Sequence, residues 1–290
     1  MMRVLVATDG STNARTAAEW LAAFPLPDDA SALVLAAVEL PPAALDIPTI
    51  AEFKQSLLDE ARKAADELVP VLKGRMVSVE ARAVAGDPRT EIVRVAEDWN
   101  ADLIVVGARG LGTIATALLG SVSLAVARHA GCAVLVVRPD PKPLRRVAIA
   151  LDGSEHSREA ARFVARLPLS SSVRVRLVGV VEPPPVPRTV PASARPLCQQ
   201  AVATIVGERR RGLDAALEGA AKSFDVVTRE LPLGSAAETL VDLSTEVDLL
   251  VLGARGLGAL KRLLLGSVSE GVLRHAACPV LIVQRRWASA

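Results

Sequence analysis

The sequence predicts an α/β protein: two tandem doubly wound domains, each a five-stranded parallel sheet in the order 3-2-1-4-5 with helices on both faces. Two observations predict it. Short, β-branched, almost continuously apolar runs alternate with longer stretches of helical period, as expected for strands covered on both faces. And the chain is written twice. VLVATDGS at Val4–Ser11 returns as VAIALDGS at Val147–Ser154. DLIVVGARGLG at Asp102–Gly112 returns as DLLVLGARGLG at Asp248–Gly258, and RHAGCAVLVV at Arg128–Val137 as RHAACPVLIV at Arg274–Val283. The offset is 143 residues at the first pair and 146 at the other two. Asp102–Ser121 and Asp248–Ser267 share 13 of 20 residues. A repeat of this length is a whole domain. The break falls in RPDPKPLRR, Arg138–Arg146, where three prolines interrupt regular structure. It separates a domain at 1–140 from one at 145–290.

The elements of the first half follow in order. An apolar run near Arg3–Thr8 is the first strand, and Asp-Gly-Ser then opens a helix over Thr12–Phe24. A second strand near Ala32–Val38 ends at a Pro-rich break, followed by a long helix over Ile50–Leu72. A third strand near Val77–Ala85 leads into a helix at Pro88–Trp99, and a fourth near Asp102–Val106 ends in glycine. A last helix, Ser121–Ala130, returns the chain to a strand at Ala133–Val137. Val122, Ala125 and Val126 are the residues of that helix expected to bury against the sheet. Right-handed crossovers wind such a chain on both faces, and ligands then sit beyond the carboxyl ends of the strands where the order reverses. The loops after the first and fourth strands should therefore share one crevice.

Composition excludes several functions. Over 290 residues the net charge is +2, too weak a field to draw in nucleic acid or an acidic membrane. Aromatics are 2% with no Tyr, against a protein that stacks single-stranded bases. Three distant cysteines, without a CxxC, fit a reducing compartment. No signal-like start and no membrane-length apolar run is present, so a cytoplasmic protein is expected.

The stretch GARGLGTIATALLGSVS, Gly107–Ser123, recurs as GARGLGALKRLLLGSVS, Gly253–Ser269. Gly107 permits a sharp exit from the fourth strand and Gly110 a close backbone approach. Residues Leu111–Leu119 should pack as a lid or short turn. Gly120 opens the last helix, and Ser121 and Ser123 sit in its first turn, where unpaired N–H groups and the dipole favour an anion. Arg109 offers charge. Gly253, Arg255, Gly256, Gly266, Ser267 and Ser269 read the same way. The seven residues between drift, TIATALL against ALKRLLL, while Gly, Arg and Ser do not. A Walker loop would need Gly-Lys-Ser/Thr, and a dinucleotide fingerprint would follow the first strand, where TDGS stands instead.

With these residues in place, each half resembles a universal stress protein domain, and the whole chain a tandem member of that family. The Asp after the first strand carries the resemblance, with Gly-x2-Gly-x9-Gly-Ser after the fourth, the Pro-rich break and the final PVLIV-type strand. Members with this glycine pattern bind ATP, so the resemblance implies ATP, or ADP or AMP, alone or with Mg, in each half. By the family motif, Asp9 and Asp152 would lie by the ribose or a metal-phosphate, and Val38 and Val180 would present backbone to adenine. Val106 and Gly107, with Leu252 and Gly253, would touch sugar or base. Gly110, Gly120, Ser121, Val122 and Ser123, and Gly256, Gly266, Ser267, Val268 and Ser269, would surround the phosphates. Arg109 and Arg255 vary in the family. The resemblance further implies a nucleotide-sensing stress regulator with a protein partner, and last strands that pair the halves as an internal pseudo-dimer, with a homodimer open.

Competing readings stand beside these. Asp9 and Asp152 also suit helix N-caps. His129 and His275 suit helix C-termini, and Cys132 and Cys278 small buried positions. EPPPVPRTVPASARP, Glu182–Pro196, reads as a semi-rigid loop, and GERRRGLD, Gly207–Asp214, as a solvated helix face. No catalytic constellation stands in one local motif. A weak ATPase or autophosphorylating enzyme using Ser121 or Ser267, and a nucleotide-free scaffold, are the alternatives.

Overall fold

The computed structural model describes residues 1–39, 48–110, 119–187, 189–256 and 265–284. The Pro-rich break at 40–47 and the expected lid at 111–118, with its copy at 257–264, lie outside the described residues. The first half runs β1 (Arg3–Thr8), α1 (Thr12–Ala22), β2 (Ser31–Val38), α2 (Pro48–Asp66), α3 (Val69–Lys73), β3 (Ser78–Ala85), α4 (Pro88–Asp98), β4 (Leu103–Gly107), α5 (Ser121–His129) and β5 (Ala133–Val137). The second runs β6 (Arg146–Ala150), α6 (Glu155–Ala165), β7 (Arg174–Val178), α7 (Arg195–Ala221), β8 (Val227–Glu230), α8 (Ala236–Leu243), β9 (Leu249–Gly253), α9 (Ser267–His275) and β10 (Val280–Val283).

One element departs from the sequence reading, and another is cut short. The expected helix over Ile50–Leu72 is two helices, because Pro70 has no N–H to offer the carbonyl of Asp66 and its ring crowds that turn. In the second half, β7 stops at Val178. The ladder lapses at Gly179–Val180 and resumes in a single bridge, Val181↔Leu233. Pro232 accepts from the N–H of Val181 (2.8 Å) but has no N–H of its own to give back, which breaks the ladder there.

All ten strands form one sheet, in the order β3-β2-β1-β4-β5-β10-β9-β6-β7-β8. Within each half every pairing is parallel; β5 and β10 join the halves antiparallel, Val280 opposite Val136 and Ile282 opposite Val134. The carboxyl ends of the two sets of strands therefore point to opposite edges of the sheet. Helices α1, α3, α6 and α7 pack on one face, around Leu21, Phe24, Leu72, Phe163 and Leu217. Helices α4, α5, α8 and α9 pack on the other, around Ile92, Val126, Leu240 and Val272. The central strands are buried along their whole length, which accounts for their unbroken apolar runs.

Two side chains are exchanged at the seam. Arg138, just past β5, donates through Nη2 to the carbonyl of Leu273 on α9. Gln284, at the same place past β10, donates to the carbonyl of Ala127 on α5 (3.5 Å). Arg128 of α5 also reaches Glu270 of α9 at 2.6 Å. Among the described residues no helix is long and apolar enough to cross a membrane.

Candidate functional site

Each half brings its two distant glycine turns together at the switch point between β1 and β4, or β6 and β9. The turn after the first strand is built from Asp-Gly-Ser. Gly10 and Gly153 hold φ of +77° and +82°, a left-handed conformation that glycine adopts without strain. The N-caps of α1 and α6 are Ser11 and Ser154, whose hydroxyls accept from the N–H of Ala14 and Ser157, each at 3.2 Å. Asp9 and Asp152 are thus not the caps. One oxygen of each instead accepts from the N–H of the serine two residues on, at 3.0 and 2.9 Å. The other oxygen, Oδ2, faces the second turn. A β-carbon on Gly256 would lie 2.6 Å from Oδ2 of Asp152, and one on Gly110 would overlap Oδ2 of Asp9. In the second half Ser154 Oγ also donates to the carbonyl of Arg255 (3.2 Å).

The glycines of the repeated motif do different work. Gly107 and Gly253, the last residues of β4 and β9, are buried. A β-carbon there would meet the backbone of Asn13 at 3.0 Å, or of His156 at 2.5 Å. They let α1 and α6 pass close over the strand ends. Gly120 and Gly266 are helix N-caps without side chains, and each donates its N–H to Ala108 or Ala254 (2.7 and 2.8 Å). The first turns of α5 and α9 therefore start with no side-chain cap.

The two serines of each helix separate. Ser121 and Ser267 are exposed. Ser123 and Ser269 are buried, and their hydroxyls donate to the carbonyls of Gly107 (2.7 Å) and Gly253 (2.8 Å). They fasten the helix to the strand end rather than standing open to a ligand. The buried stripe of α5 is Ser123, Val126 and Ala127, while Val122 and Ala125 are only half-buried. The spacing i, i+3, i+4 was available in the sequence to find it.

Val106 and Leu252 bury their side chains in the core on the α4–α5 and α8–α9 face, so only their backbone reaches the crevice. Arg109 and Arg255 each have a buried Nε with no hydrogen bond. Burial holds Arg138 below the usual arginine range, and Arg109 beside it acts in the same direction against a nearby Cys278. Val38 ends β2 and accepts from the N–H of Gly86 (2.9 Å). The matching bond in the second half runs from Gly234 to Val181 (3.1 Å). Val181, not Val180, is the counterpart of Val38, and an offset of 143 would have found it. Val122 and Val268 flank the exposed serines and are half-buried.

No nucleophile or metal cluster completes a reactive centre among the described residues. Burial pushes the Cys132 and Cys278 thiols up to about 12, so both stay protonated at neutral pH. Among the described residues no group of three or more His, Cys, Asp or Glu is placed to hold a metal.

A model of the universal stress protein family matches residues 1–138 and again 143–284. The chain belongs to the universal stress protein family. Universal stress protein Rv2005c of Mycobacterium tuberculosis is 30% identical over 250 residues, covering 78% of each chain. Universal stress protein Rv1996 of the same species is 27% identical over 316 residues, covering 97% of this chain and 94% of its own. A universal stress protein from Archaeoglobus fulgidus shares the tandem fold, with a TM-score of 0.67, 23% identity and 98% and 96% coverage.

Proposed function

We propose that the chain is a nucleotide-sensing stress protein that holds ATP, or ADP or AMP, in each of its two crevices and reports occupancy to a protein partner in the cytoplasm. One observation carries the reading. In both halves a carboxylate after the first strand lies so close to a glycine that a side chain there would have to displace it, beside a helix start that no side chain caps. This is a cradle in which backbone N–H groups meet phosphate, and it fits a nucleotide without a lysine. The N–H groups of Ser121, Val122 and Ser123, and of Ser267, Val268 and Ser269, would hold the phosphates. Ser121 and Ser267 would add hydroxyls, while Asp9 and Asp152 would face ribose or a phosphate-bound Mg. With a single carboxylate per crevice among the described residues, Mg would take most of its ligands from phosphate and water. The backbone of Val38 and Val181 would meet adenine.

The test is direct. Purified protein is denatured and its supernatant resolved by chromatography, and the refolded or apo chain is titrated with ATP, ADP and AMP by calorimetry. Two bound equivalents are expected. No released nucleotide and no heat of binding for any of the three would overturn the reading.

A further inference from the structure

A cavity of about 560 Å³ opens at the amino-terminal ends of β6, β7 and β9, where the linker enters the second half. Lys142, Arg145, Arg146 and Arg174 line it, with Ser172 and Asp248. Asp248 is committed to Arg146, whose Nη2 it meets at 2.9 Å, and to the backbone N–H of Arg145 and Arg146 (3.0 and 2.8 Å). Burial raises the Asp248 carboxyl, but the Arg146 guanidinium and these N–H groups outweigh it and hold it below the usual range. Lys142, Arg145 and Arg174 form no ion pair among the described residues. Three cations thus line one cavity with no acid left to offset them.

The duplication shows that this charge is particular to the second half. At an offset of 143, Arg145 stands where the first half has Met2, Ser172 where it has Asp29, and Arg174 where it has Ser31. All three exchanges move toward positive charge. In the first half Asp29 is occupied by the amino terminus (2.6 Å). In register, Arg3 of β1 lies opposite Ser31, whereas Arg146 of β6 lies opposite Arg174. Like charges directly opposite on neighbouring strands disfavour the fold, so an arrangement that gathers them stores attraction for an anion.

We propose that this cavity is a second kind of ligand site, which takes a compact polyanion carrying phosphate groups. Guanidinium forks from Arg145 and Arg174, the Lys142 ammonium and the Ser172 hydroxyl supply the donors that such oxygens require. The site is separate from both crevices. It lies on the sheet edge toward which β1 and β4 point, but five strand spacings from β1, roughly 24 Å. A nucleic-acid strand is disfavoured, because no aromatic lines the cavity and the net charge is only +2.

Inorganic tripolyphosphate is the probe, titrated into the full chain by calorimetry at low and moderate salt. The variant is Arg145→Met with Arg174→Ser, which restores the residues the first half already uses in the same fold. Wild type should bind saturably, more weakly as salt rises. The double variant should lose about tenfold or more in affinity while ATP binding stays unchanged and its thermal midpoint is equal or higher. Equal affinity in the variant, or no saturable binding by wild type, overturns the proposal. So does a 20-nucleotide single-stranded RNA that binds more tightly than tripolyphosphate through the same two arginines.

Discussion

Gly253 and Gly256 stand three residues apart in one motif and answer to different constraints. At Gly253 an added methyl would press on backbone, the carbonyl carbon of His156 at 2.5 Å and the nitrogen of Ser157 at 2.7 Å. At Gly256 it would press on the tip of a carboxylate, which can turn away. Gly253→Ala should therefore cost the fold about 1–3 kcal/mol, read as a lowered thermal midpoint. Gly256→Val should leave the midpoint nearly unchanged and abolish nucleotide uptake by the second crevice, read as one bound equivalent instead of two. Equal midpoints for the two variants would show that both glycines serve the same purpose. The sequence made both positions conspicuous by repetition alone. It could not separate them, since the distinction depends on which atoms of a helix a hundred residues away lie beneath. The same limit hid the roles of Asp9 and Ser11. Both residue types cap helices, and only the observed turn assigns the cap to serine and turns the aspartate toward the glycine.

At the scale of elements, α5 and α9 are each bolted to the preceding strand by one buried hydroxyl. Ser123→Ala and Ser269→Ala should each destabilise the chain by about 1–2 kcal/mol, because a buried carbonyl loses its donor. Thermal or urea denaturation checks this, and a neutral outcome would mean that another donor replaces the hydroxyl. Ser121→Ala, at an exposed position, should leave stability within about 0.5 kcal/mol of wild type. Strands were the most legible elements. Unbroken apolar runs such as Leu103–Val106 and Ala133–Val137 have few alternatives once helices flank them. Element ends were the least legible. Pro70 divides the expected helix, and Pro232, just past the end of the neighbouring strand β8, shortens β7, which no pattern within β7 itself reveals.

At the scale of the molecule, Glu270 ties the halves together. It accepts from Arg128 across the seam and from Arg274 on its own helix. The Arg128 guanidinium, ahead of Arg274, holds its carboxyl below the usual glutamate range. The unfolded chain therefore binds this proton more readily than the folded one. The stabilisation is complete above the unfolded value and disappears as pH falls through the depressed folded value. Glu270→Gln should cost up to about 1 kcal/mol at neutral pH, since both partners are partly solvated. The cost should vanish in denaturation curves taken well into the acid range; a cost that persists there would assign Glu270 a packing role. The overall plan was legible because the chain repeats it. The seam was not, because Arg138 and Gln284 occupy matching positions with different chemistry, and each reaches a carbonyl in the other half.

The antiparallel seam also limits how far this architecture can grow. Joining β5 to β10 uses the one inner edge that each half offers, and leaves β3 and β8 as the outer borders. Those borders alternate charge along their length, Glu80 and Arg82 on one and Arg229 and Glu230 on the other, which discourages further strands from adding. A third copy spliced onto the chain would find β5 and β10 already joined, and could reach the sheet only at a charged outer border. Duplication here closes on itself: the two units satisfy each other's inner edges.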